Sequence, residues 1–149
     1  MKKYTLILSA LFLAFSFTAC SQDNVPAAVK TAFSKKFPNV KKAKWDKEGN
    51  TEWEAEFEIG EKDMSANFDL QGNWKETETD LENDEVPAVV LNTIKAQFPG
   101  YKVKEAAFTE TPSYSAYEID IKKGDNKMEV TIDKTGKVLS KESASEEKD

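Results

Sequence analysis

Four glutamates stand at every second position in Glu52-Trp53-Glu54-Ala55-Glu56-Phe57-Glu58-Ile59. On an extended strand, residues two apart share a face about 7 Å from each other. Glu52, Glu54, Glu56 and Glu58 would then form one row, too widely spaced for all four to clasp one ion and close enough to repel. Such a row could do acid–base work, dock a cationic partner, or hold Ca²⁺ weakly through carboxylate oxygens. The plain alternative is a solvated face, partly neutralised by Lys42 and Lys44 on the neighbouring strand. Strand parity adds Glu118, Asp120 and Glu129 to the same candidate binding face, with Asp69 and Asp133 at its turns.

Each chemistry has a requirement. Acid–base work needs a pocket that shifts carboxyl pKa values, and the sequence shows none. Calcium binding needs an Asp-rich loop of suitable spacing, which is absent, so no metal site is expected. The chain has no His and one Cys, which removes the usual activated nucleophiles. The chain is therefore not expected to be an enzyme, and no cofactor is expected.

The single Cys20 has a different reading. Lys2 and Lys3 precede a short apolar run from Leu6 to Phe17, interrupted by Ser9 and Ser16, which reads as a signal peptide over residues 1–19. The run ends Thr18-Ala19-Cys20, which resembles a bacterial lipobox, with Phe17 where Leu is usual. Cys20 would carry lipid and become the mature N-terminus. Ordinary cleavage after Cys20, leaving Thr18 at the small-residue position, stays open. Either way the exported fold has no internal disulfide and must rest on its core.

Removal of the leader leaves 19 Lys and no Arg against 27 Asp and Glu, a charge of −8. An acidic surface without Arg argues against nucleic acid, since phosphates need clustered cations. It argues equally against adsorption to anionic lipid, so membrane attachment would come from the acyl chains alone.

These residues must be positioned by elements, and the chain spells the elements out twice. Val25-Pro26-Ala27 opens a run closing at Phe37-Pro38, and Val86-Pro87-Ala88 opens another closing at Phe98-Pro99, with the same offset at both ends. Gly60, Met64, Phe68, Asp69 and Gly72 are echoed by Gly124, Met128, Ile132, Asp133 and Gly136, at a slightly longer offset that is constant across all five. A recurrence of this kind marks a duplicated supersecondary unit, with a short insertion between the helix and the second strand of the later copy. Val29, Ala32, Phe33 and Phe37 recur at helical spacing, as do Val90, Ile94 and Phe98. Pro26 and Pro87 suit the first helical position, and the later prolines stop each helix.

The period then falls to two. Met64, Ala66, Phe68 and Leu70 alternate with polar residues, as do Tyr117, Ile119, Ile121 and then Met128, Val130, Ile132. Ala43 and Trp45, matched by Ala106 and Phe108, predict an earlier strand; Trp74 and Val138 predict a short fourth one. Asp69 to Gly72 and Asp133 to Gly136 read as tight hairpin turns, with Asp capping and Gly at positive φ. The expected class is α+β: two tandem units, each a helix plus a four-stranded antiparallel meander, with the helices on one face of the sheet or sheets. The boundaries are a tether over 20–24, units over 25–81 and 86–141, and a frayed tail over 142–149. Trp45, Trp53 and Trp74 share the buried parity and are expected in the core.

The paired Val-Pro…Phe-Pro runs, alternating strands and Asp-x-x-Gly turns resemble the PepSY-like family, over nearly the whole mature chain. The resemblance implies secreted or lipid-anchored bacterial proteins, with tandem modules arranged like those of the β-lactamase inhibitory protein. PepSY relatives also occur in propeptides of secreted metallopeptidases, which implies inhibitory or chaperone-like binding. One departure matters. The β-lactamase inhibitor grips its target with an open sheet face rich in aromatics, whereas the corresponding face here is acidic. β-Lactamase inhibition is not carried over.

Two functions follow as expectations. One is a non-catalytic envelope lipoprotein that binds or inhibits another envelope protein through an open sheet face. The other is a small-molecule or cation-binding envelope lipoprotein. A deep apolar pocket between helices and sheet would favour the second, and a broad open face the first.

Overall fold

The computed structural model describes residues 24–143. The leader over 1–19, Cys20, most of the tether and residues 144–149 lie outside the described residues. Helix α1 spans Ala27–Lys36 and is followed by β1 (Lys44–Glu48), β2 (Glu52–Ile59), β3 (Lys62–Asp69) and β4 (Trp74–Asp80). Helix α2 spans Ala88–Gln97 and is followed by β5 (Lys102–Glu110), β6 (Ser115–Lys123), β7 (Asn126–Ile132) and β8 (Val138–Ser143).

All eight strands form one antiparallel sheet in sequential order. The two four-stranded runs join at β4 and β5, where Thr77, Glu78, Thr79 and Asp80 face Glu110, Thr109, Phe108 and Ala107. Strand parity carries across this seam, through the row Met64, Thr79, Phe108, Tyr117 and Ile132. Both helices therefore cover the same face, and no described element covers the other.

The helices form as their flanking prolines dictate, shifted by one residue from expectation. Pro26 and Pro87 are the N-caps rather than the first helical residues, with φ of −56° and −57°. Phe37 and Phe98 are the C-caps, each donating its backbone N–H to the residue four before it. Val25 and Val86 are buried just ahead of the helices.

The sheet's covered side has two cores of different character. Under α1, Phe33 meets Trp45, Phe57 and Phe68 at ring-centroid distances of 5.2, 5.1 and 6.3 Å, edge to face. Under α2 the core is aliphatic, from Val86, Val90 and Ile94 against Ile119, Ile121, Val130 and Ile132. Trp45 and Trp53 are buried as expected. Trp74 is half-buried at the rim, with Lys36 Nζ 3.5 Å from its ring centroid.

The Asp-x-x-Gly turns reach the helices as well as reversing the chain. Asp69 Oδ1 accepts from the backbone of Gln71 and Asn73, and Asp133 Oδ1 from that of Thr135 and Lys137. Gly72, at φ +82°, passes so near α1 that a Cβ would sit 2.7 Å from the Ala28 carbonyl oxygen. Gly136 packs likewise on α2, and its carbonyl accepts from Thr93 Oγ1 at 2.8 Å. Each glycine is thus needed both for its φ and for its closeness to a helix.

Three boundaries differ from the sequence reading. Ala43 lies before β1 and Leu70 is exposed in a hairpin rather than on the core. Lys42 precedes β1, so only Lys44 of that pair faces the glutamate row. Strand β8 runs to Ser143, so Glu142 and Ser143 of the segment read as a tail pair with β7.

Candidate functional site

The register places the singled-out acids of β2, β3, β6 and β7 on the uncovered face, and Asp133 lies in the turn after β7. Glu52, Glu54, Glu56 and Glu58 lie opposite Asp69, Asn67, Ser65 and Asp63 on β3. Glu118 and Asp120 lie on β6, with Asp120 opposite Glu129 on β7. The first row and the second group are separated by three strands, of which β4 and β5 bridge them.

Sequence reasoning missed the bridge. Glu76 and Glu78 of β4 face Asn67 and Ser65 on one side, and Glu78 faces Thr109 on the other. Asp80 and Glu105 extend the same surface. A signal existed in Glu76-Thr77-Glu78-Thr79-Asp80, a period-two alternation of acid and threonine. Threonine is a weak marker of a buried face, although Thr77 proves to be buried.

The groups behave differently along the face. At its β1 edge, Lys44 Nζ lies 3.1 Å from Glu56 Oε2 and 2.8 Å from Asp46 Oδ2. Glu58 is exposed. Towards the middle, carboxyls crowd together over small residues, Ser65, Asn67, Ala107 and Thr109, and lose water. Burial, followed by repulsion from Glu48 and Glu56, pushes Glu54 up to about 7. Burial and the neighbouring Glu76 push Glu78 up to about 8. Burial, then Glu78 and the other nearby acids, pushes Glu118 up to about 8. Glu129 rises to about 7, from burial and then Asp120. Glu76, Asp80 and Asp120 are raised as well, each chiefly by burial.

Glu118 is the deepest of them, with only 6% of its surface exposed. Its Oε1 has no hydrogen-bond partner, and neither has Thr109 Oγ1 beside it. The nearby hydroxyl opposes the rise in the Glu118 pKa without closing a bond of good geometry. Tyr114, which the sequence did not single out, stands close enough for burial and Glu118 to push its phenol up to about 12.

Glu78, Asp80, Glu118, Asp120 and Glu129 line a cavity of about 360 Å³, and Glu54 and Glu76 lie outside its lining. Its walls include Glu78 of β4, Ala107 of β5, Glu118 and Asp120 of β6, Glu129 of β7 and the Leu81–Asn83 segment. The expectation that no pocket shifts the acids was therefore wrong. The strand row alone has none, but the seam between β4 and β5 makes one. Among the described residues, no group of three or more His, Cys, Asp or Glu side chains is arranged to hold a metal ion. No described helix is long and apolar enough to cross a membrane. Chemically the face can exchange protons near neutral pH and can receive positive charge.

Comparison with known proteins gives the following. Residues 15–65 and 51–140 match the family described as "Putative beta-lactamase-inhibitor-like, PepSY-like". A BLIP-like protein from Bacteroides fragilis NCTC 9343 is similar in structure, with a TM-score of 0.73 and 22% identity over 83% of this chain and 90% of that one. A DUF2874 family protein from Bacteroides ovatus ATCC 8483 has a TM-score of 0.74 and 21% identity, over 81% and 89% of the two chains. A structure from Bacteroides eggerthii DSM 20697, described as "putative periplasmic proteins", has a TM-score of 0.72 and 24% identity, over 80% and 88%. A comparison with curated proteins gives no match.

Proposed function

This chain belongs to the PepSY-like family, and on that premise we propose that it is an exported, non-catalytic module that binds another envelope protein through its uncovered acidic sheet face. One observation carries this reading. An eight-stranded sheet has both helices on one side, and its other side is open and lined with partly dehydrated carboxyls. Carboxyls that lose water with no counter-charge are a cost to folding, which a cationic partner would offset. The cavity on this face has a charged lining rather than the deep apolar one, under the helices, that a small-molecule carrier would need.

Export is supported by the leader and by the periplasmic description given to the Bacteroides eggerthii protein. The anchor is the lipid on Cys20, with two or more acyl chains giving stable attachment. Intact-mass analysis of the native protein should show a mature chain beginning at acylated Cys20. A Cys20→Ala variant that stays in the membrane pellet would contradict this. The recurring landmarks, and the helix-plus-four-strand order of both halves, support descent from a duplicated unit.

The binding face is tested by reversing charge at its edge. A partner is first captured by crosslinking in the protein's own envelope fraction. With that partner, a Glu54→Lys/Glu56→Lys variant should show an on-rate lower by about tenfold at low salt, with the difference shrinking as salt rises. Folding should be retained at a modest cost, since the variant gives up the Lys44–Glu56 ion pair and places a lysine at the partly buried Glu54 site but relieves the repulsion of Glu54 by Glu48 and Glu56; a melting curve is the control. Unchanged affinity and salt dependence would make the row a solubility feature only.

A further inference from the structure

We propose that the cavity at the β4–β5 seam receives a lysine or arginine side chain of the protein partner, with Glu118 as the buried carboxylate that engages it and Glu78 and Glu129 on either side. The proposal rests on the reading of this face as a partner-binding surface, and it names the part of the partner that enters.

Three observations converge on it. First, Glu118 is 6% exposed, lines the cavity, and has an Oε1 that no protein group satisfies. A buried polar atom left unpaired is a free-energy cost that native structures rarely retain without a ligand or an ion to relieve it. Second, the lining carries nine carboxyls and two lysines. Of those lysines, Lys62 is held by Glu85, and Lys104, at the bulge of β5, forms no ion pair with these carboxyls among the described residues. Lys127 of β7 acts on Asp120, but no lysine acts on Glu78, Glu118 or Glu129 strongly enough to offset their burial, so a cation for these three would come from outside. Third, the carboxyls are not gathered around one point, so no described set suits a single metal ion. They are spread around a volume of about 360 Å³ that also offers Leu81, Ala106 and Ala107. That mixture suits a cation with several donors on an apolar stem, which is what lysine and arginine provide.

The electrostatics give a signature. The acids acting on Glu118 are Glu78 and Glu76 from β4 and Glu129 from β7, with Asp80 of β4 in its register row across Ala107 and the Tyr114 phenol nearby; Glu105 of β5 faces Asp120, which Lys127 of β7 also approaches. Glu78 and Glu118, raised to about 8, hold protons in much of the free protein at pH 7. An entering cation favours the charged carboxylates, so binding should release protons and tighten as pH rises from 6 to 8.

The test uses the purified protein and penta-lysine, with Nε-acetylated penta-lysine as the uncharged control. Calorimetry in two buffers of different ionisation enthalpy, at pH 7, should show binding of penta-lysine with proton release and none of the acetylated peptide. Glu118→Gln keeps the shape and removes a buried acid, so it should fold normally and weaken binding by about tenfold or more. Glu58→Gln, on the exposed end of the row, should weaken it by less than about threefold. Diffuse attraction predicts no preference for Glu118, which is buried and mostly protonated at pH 7. Absent binding, equal binding of the acetylated peptide, or an effect of Glu58→Gln as large as that of Glu118→Gln would overturn the proposal. Stoichiometric displacement of the peptide by calcium chloride would assign the cavity to a metal and would also overturn it. With the captured partner, a loss from the Glu54/Glu56 reversal but none from Glu118→Gln sinks the cavity proposal and leaves the face reading standing. The opposite pattern supports the cavity and sinks the role of the edge row.

Discussion

Replacing Ile121 by Asp should remove most of the protein's stability. Ile121 is 1% exposed, sits between Val103 and Met128 in register, and belongs to the aliphatic core beneath α2. An Asp there loses the packing of a branched side chain and faces no cation. The expected cost is roughly 4 kcal/mol or more, against a typical total of about 5–15 kcal/mol for a domain. Chemical denaturation should show a largely unfolded protein or a midpoint near zero denaturant. Glu56→Lys is the matched control on the opposite face. It gives up the Lys44 ion pair at the edge, so its cost should stay within about 1 kcal/mol. If the two variants were equally stable, the assignment of covered and uncovered faces would be wrong.

Stability should fall as the solution becomes alkaline, which is opposite to what an ordinary carboxylate-rich surface does. Glu54 and Glu129 are raised to about 7, and Glu78 and Glu118 to about 8. A raised folded-state pKa means that the folded protein holds its protons more tightly than the unfolded chain. The associated stability is complete below the ordinary carboxylate pKa and is lost as pH climbs through the folded value. The decline should therefore run from about pH 5 to about pH 8. A second, acid limb comes from the turns. Asn73 holds Asp69 down to about 2, and Thr135 holds Asp133 below its usual range, so their contribution is lost only in strong acid. Denaturation at pH 5, 7 and 9 checks the first limb. A Glu78→Gln/Glu118→Gln variant should flatten it and be more stable than the wild type at pH 9. Stability that rises from pH 5 to 8 would contradict the burial of these acids.

Much of this architecture could be read from residue types. The strict alternation in Glu52 to Ile59 gave the strand, its faces and the position of the acids, because one face of a half-buried strand must be apolar. The Phe-Pro pairs placed both helix ends within a residue. The Asp-x-x-Gly runs gave the turns, but not their approach to α1 and α2, since closeness between distant segments leaves no local pattern. The site was legible only at its margins. Glu118 reads as one more solvent-facing acid on β6. What buries it is the pairing of β4 with β5, two strands that lie on opposite sides of α2 in the sequence and set Glu78 against Thr109. Glu76 and Glu78 were hidden by their threonine neighbours, which mark a buried face poorly. Tyr114 stands outside any strand pattern and is tied to the site only through space.

The central claim is that the uncovered acidic face meets a protein partner. Carboxyl footprinting tests it most directly: exposed acids are amidated with glycine amide and a carbodiimide, with and without the captured partner, and quantified by mass spectrometry. The account predicts protection concentrated at Glu54, Glu56, Glu76, Glu78 and Glu129, with Asp84 and Asp125 labelled equally in both samples. Protection at Asp84 or Asp125 with the sheet face labelled unchanged would contradict it.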